Sequence, residues 1–62
     1  MWTVVYVAPS QKEAEKIRDL LVREGLLVKL HTVGAGGNEN QAYEVLVPGA
    51  EVEEALELLG SY

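Results

Sequence analysis

The sequence contains no cysteine. Disulfide stapling is excluded, and so is any metal site built on thiolates. No apolar run approaches the roughly 20 residues that a membrane-spanning helix needs. The apolar run at the N-terminus has no basic region before it, so a secretory signal is not expected and a cytoplasmic location is. Basic residues are scarce, with five Lys and Arg against ten Asp and Glu and a formal net charge of −5. A chain of that sign repels phosphate backbones and anionic lipids, so neither nucleic acid nor membrane is an expected partner. The one histidine, His31, has no cysteine or paired carboxylate at ligand spacing. Asn38, Glu39 and Asn40 offer oxygens but not the spacing of a calcium loop, so no metal is assigned.

What is present describes one soluble domain spanning residues 1–62. Hydrophobic residues make up 48% and charged residues 24% of the chain, an ordinary globular balance that argues against disorder. A domain near 60 residues buries only about 60% of its unfolded surface, so its stability is marginal without a supplement. With disulfides excluded, good helix packing and oligomerisation are the supplements that remain.

Local signals divide the chain into five elements. Trp2 to Ala8 reads as a strand, ended by Pro9, which biases Ala8 toward extended geometry. Ser10 with Glu13 three residues on forms a capping box for a helix from Gln11 to Glu24. Ala14, Ile17, Leu20 and Leu21, with Val22 at its margin, form its apolar stripe. Glu13 with Lys16, Glu15 with Arg18 and Asp19 with Arg23 stand at pairing distance on its polar side. Gly25 is placed to close that helix in a left-handed conformation. Leu26 to Val33 and Ala42 to Val47 read as strands, and Pro48-Gly49 breaks the second of them. Glu51 to Leu59 reads as a second helix with Val52, Ala55, Leu56 and Leu59 as its stripe and Gly60 at its end. Between the second and third strands, Gly34 to Asn40 has three glycines and no apolar period, the signature of a loop.

The order β-α-β-β-α points to an α+β fold. The third strand fits between the first two, giving sheet order 1-3-2 with both helices on one face. That is a ferredoxin-like two-layer sandwich with its final strand missing, and it leaves the first strand at an open edge. The first strand is apolar on both of its sides, whereas a half-exposed strand alternates apolar with polar. On strict alternation, Thr3, Val5, Val7, Val28, Leu30, Tyr43, Val45 and Val47 face the helices. Trp2, Val4, Tyr6, Lys29, His31, Ala42, Glu44 and Leu46 face away. An apolar patch rimmed by polar groups marks a binding surface.

Other features yield less. Gly34-Ala35-Gly36-Gly37 resembles a phosphate loop in composition, but it joins two strands, precedes no helix and has no Lys or Arg. It is a hairpin loop, able to touch a partner. His31 fits a solvated surface residue as well as a polar contact. Glu51, Glu53, Glu54 and Glu57 make the second helix acidic, with most of them near its N-terminus where the helix dipole favours carboxylates. Trp2, Tyr6 and Tyr43 lack the basic surroundings of an RNA-stacking sheet. Ser10 has no base in its sequence context, and no acid/base or nucleophile pair is visible, so an enzyme is not expected.

Several stretches together resemble a known family. They are Trp2 to Pro9, Ala14-Glu15, Glu24-Gly25, Val28-Lys29, Tyr43 to Pro48 and Glu53-Glu54-Ala55. The family consists of small bacterial proteins of unknown function, described as signal-transducing and regarded as similar in fold to the PII nitrogen-signalling proteins. The resemblance implies a PII-like unit that is regulatory, often oligomeric, and carries a functional loop between strands two and three. Residues 34–41 occupy that position here. No nucleotide-binding residues carry over, because the loop is short and lacks the basic residues that hold phosphate in PII proteins, so no cofactor is expected.

The expected function is a non-enzymatic regulatory or adaptor module, working as a homo-oligomer or on a protein partner. Trp2, Val4, Tyr6 and Leu46 are the expected apolar anchors, and Lys29, His31 and Glu44 the polar contacts. Gly34, Gly36, Gly37 and Asn38 are the expected loop residues. The alternative is a sensor domain for an amino acid or a nucleotide.

Overall fold

The computed structural model describes residues 1–33 and 41–61. Its elements run β1 (Trp2–Ala8), α1 (Gln11–Arg23), β2 (Lys29–Val33), β3 (Ala42–Pro48), a single 3-10 turn (Gly49–Glu51) and α2 (Val52–Gly60). The protein is a small α+β domain. β3 lies between β1 and β2 and is antiparallel to both. α1 and α2 supply Ala14, Ile17, Leu21 and Ala55 to one core with Val45 and Val47 of β3, so both helices cover the same face of the sheet. None of the described helices covers the opposite face.

α1 begins and ends for local reasons. Ser10 has extended backbone (φ −152°, ψ 165°), and its Oγ accepts the Glu13 N–H at 3.3 Å, an N-cap that satisfies one orphan amide. At the far end Gly25 takes φ +91°. Its N–H bonds the Val22 carbonyl at 2.9 Å, and the Leu26 N–H bonds the Leu21 carbonyl at 3.1 Å. That is a Schellman motif, and Leu21 and Leu26, the pair whose side chains usually meet in it, both belong to the buried cluster. A Cβ on Gly25 would meet nothing within 4 Å, so a substitution here is opposed by backbone conformation alone. Gly25→Ala is expected to cost about 1–2 kcal/mol, the left-handed penalty for an L-residue. Urea unfolding followed by circular dichroism measures it. A cost below about 0.5 kcal/mol would mean that the cap is not formed in solution.

Three sequence expectations shift at this level. The second strand begins at Lys29 and not at Leu26, because Leu26 is drawn into the core as the last residue of the Schellman motif. In α2 the residues packed on the core are Val52, Ala55, Leu58 and Leu59, while Leu56 points outward at 51% exposure. On α1, Arg18 turns to its sequence neighbour Asp19 (3.3 Å) and not to Glu15, which takes a hydrogen bond from Gln11 (3.2 Å). These exposed contacts contribute little to stability.

The largest difference lies in β1. Thr3 pairs with Val47 and Val4 with Leu46, but Tyr6 then pairs with Val45 and Val7 with Glu44, so Val5 is an extra residue in a β-bulge. The bulge shifts the alternation by one. Val5 and Tyr6 both pack on the core, and Ala8 is fully buried. Val7 is 56% exposed on the open side. The placement of Tyr6 on the open face, and of Val7 against the helices, is therefore corrected. The doubly apolar strand serves both sides because its apolar run is split by the bulge.

Candidate functional site

The open face is built in cross-strand rows. β3 places Leu46 and Glu44 outward because Val45 and Val47, one residue away on each side, are buried. The pairing sets Val4 of β1 and Lys29 of β2 on either side of Leu46. It likewise sets Val7 and His31 on either side of Glu44, and Trp2 beside Pro48. Trp2, Val4 and Val7 thus lie along β1 and Lys29 and His31 along β2, with Leu46 and Glu44 between them on β3.

Two contacts tie the rows together. Lys29 reaches across β3 at the level of Leu46 to place its Nζ 5.6 Å from the centroid of the Trp2 ring, within range of a cation–π attraction. The lysine stem therefore shields the middle strand, and Leu46 is only half-exposed. His31 Nδ1 lies 3.2 Å from Glu44 Oε1, and since a carboxylate only accepts, the imidazole nitrogen is the donor. The pair is largely exposed and holds the two side chains in place rather than adding much stability.

Of the residues expected to form the site, the structure brings Trp2, Val4, Lys29, His31, Glu44 and Leu46 to one face. Tyr6 is turned to the other face, opposite Val45, by the bulge. Val7 takes the place expected for Tyr6, and no Gly or Pro within β1 signals a bulge in the sequence. Gly34, Gly36, Gly37 and Asn38 lie outside the described residues. Among the described residues no cavity opens, and no three histidine, aspartate or glutamate side chains converge on a point. None of their helices is long and apolar enough to cross a membrane.

The charge is distributed unevenly. α1 and its cap balance Lys12, Lys16, Arg18 and Arg23 against Glu13, Glu15, Asp19 and Glu24, and on the open face Lys29 balances Glu44. Glu51, Glu53, Glu54 and Glu57, with no basic residue near them in sequence, put four of the five excess negative charges on α2 and the turn before it, the fifth being Glu39. Glu51 does more than favour the dipole: its Oε1 accepts the Leu27 N–H at 2.9 Å, tying the connector after α1 to the start of α2. Glu57 sits near the C-terminal end of α2, four residues from Glu53, where both the dipole and the neighbouring carboxylate oppose it. Glu57→Lys is expected to stabilise the domain by about 0.5–1 kcal/mol, raising Tm by roughly 3–6 °C in low salt and by less in 1 M NaCl. An unchanged Tm in low salt would refute this account of α2.

Comparison with protein-family models, with curated proteins and with solved structures found no match. The functional reading therefore rests on the residues and their geometry.

Proposed function

We propose that this domain is a non-enzymatic regulatory or adaptor module that binds a partner through the open face of its sheet. One observation carries the reading: Trp2, Val4 and Val7 form an exposed apolar band on an uncovered face, beside the polar side chains of Lys29, His31 and Glu44. A half-covered two-layer fold of this size leaves that band to water unless something covers it. The element order and the 1-3-2 sheet support a ferredoxin-like, PII-like sandwich lacking its last strand, in keeping with the family resemblance of Trp2 to Pro9 and Tyr43 to Pro48. Signal transduction in the bacterial cytoplasm belongs to the same reading, with the 34–41 loop as a second contact element.

The test is retention of co-purifying proteins, untagged copies of the chain included, by tagged wild type, Val4→Glu and Leu56→Glu. Val4 lies on the open face, and Leu56 is a still more exposed apolar residue on the helix layer. Loss of binding with Val4→Glu alone is the expected result. Loss with both variants, or with neither, would sink the proposal.

A further inference from the structure

We infer that the open face takes an amphipathic helix of a partner protein, one whose apolar stripe lies along Trp2, Val4 and Val7 and sets an aspartate or glutamate against Lys29. The inference rests on the reading of that face as a binding surface, and Lys29 selects the partner. Its Nζ stands 5.6 Å from the centroid of the Trp2 ring, so whatever covers the Trp2 end of the face also covers the ammonium. Among the described residues no carboxylate pairs with Lys29, and Glu44, the acid on the same face, is engaged by His31. Taking a cation out of water without a counter-ion is strongly unfavourable. A purely apolar surface or a basic one therefore fits this face badly. One that sets a carboxylate among apolar residues fits it well.

Shape narrows the partner to a single helix. Trp2 to Val7 spans about 16 Å along β1 at ~3.3 Å per residue, the length of about three helical turns. With Leu46 one strand over, the apolar ground is about one helix diameter wide, roughly 160 Å² in projection. That is far below the ~800 Å² that a whole protein surface presents in a standard interface. Among the described residues no cavity opens to hold a small molecule. An extended segment would need the backbone edge of β1, which the bulge at Val5 interrupts. The covered face shows how a helix fits this sheet: α1 packs on it through Ala14, Ile17 and Leu21, at spacings of three and four residues. A partner helix with that spacing, and an acid beside its stripe, matches Trp2, Val4, Val7 and Lys29.

The test is selection from a random library of peptides about 15 residues long, displayed in many copies so that weak binding is retained. Wild type is expected to enrich apolar residues at three- and four-residue spacing with an aspartate or glutamate beside them. Lys29 is exposed, so its variants keep the fold. Lys29→Glu is expected to enrich lysine or arginine at the acidic place, and Lys29→Gln to lose the preference. Val4→Glu and Val7→Glu, checked for fold by circular dichroism, are each expected to retain the wild-type peptides at least tenfold less. The single tryptophan reports occupancy: an enriched peptide without tryptophan is expected to shift Trp2 emission to the blue and to gain helical circular dichroism on binding. An acidic preference that survives Lys29→Glu would overturn the pairing with Lys29. Enriched peptides with strictly alternating apolar residues would overturn the helix in favour of strand addition at β1. No enrichment would overturn the inference while leaving the binding face to the retention test with whole proteins. Peptides held equally by wild type, Val4→Glu and Val7→Glu would count against both.

Discussion

Ile17→Ala is expected to cost about 2–5 kcal/mol and to leave the domain largely unfolded at 37 °C. Ile17 is fully buried at the centre of the α1 stripe, and it is one of the largest side chains in a core that holds only small and medium residues. Truncation removes three carbons from water-free surroundings and leaves a cavity that two short helices cannot collapse around. A domain of this size carries about 3–9 kcal/mol in total, so the loss is a large fraction of what there is. Ile17→Val, which keeps the branched shape, is expected to cost about 0.5–1.5 kcal/mol. Urea titration of both variants decides the matter. A cost below about 1 kcal/mol for Ile17→Ala would mean that α1 does not pack on the sheet through this residue.

Leu26→Ala and Leu27→Ala are expected to differ by about 2–3 kcal/mol although the residues are adjacent and identical. Leu26 is buried against Leu21 as the last member of the helix cap. Its truncation loses core packing and the contact that seals the turn, at about 2–4 kcal/mol. Leu27 is 62% exposed, and the bond it makes to Glu51 comes from its backbone N–H, which alanine retains. Its truncation is expected to stay within about 0.5 kcal/mol. Equal costs for the two would show that the connector continues the strand, as simple alternation from Leu26 suggests, and does not turn at Gly25.

Much of the fold could be read residue by residue because its signals are local. Ser10 and Gly25 bound α1 through groups that act within a few residues of themselves. The spacing of Ala14, Ile17 and Leu21 selects one helical face whatever lies against it. The order of strands follows from chain length and short connections. Most of the candidate face was legible for a related reason. Lys29, His31, Glu44 and Leu46 lie on strands whose other side carries Leu30, Val45 and Val47, so the buried side is plain from composition.

β1 is different. Trp2, Val4, Tyr6 and Ala8 are as apolar as Thr3, Val5 and Val7, so a period of two cannot say which set is inside. The pairing with β3 decides it, and the bulge makes neither set wholly right: Tyr6 and Ala8 join Val5 in the core while Val7 joins Trp2 and Val4 outside. The approach of Lys29 to Trp2 and the bond from Leu27 to Glu51 were equally out of reach, since each joins residues more than 20 positions apart and needs the sheet or the helix layer to bring them together. The sequence by itself determined the number and order of the elements, the caps of the first helix, the sheet order and the acidity of the second helix. Only the tertiary structure decided which side of the first strand is left exposed, because register is a property of two strands and is written in neither alone.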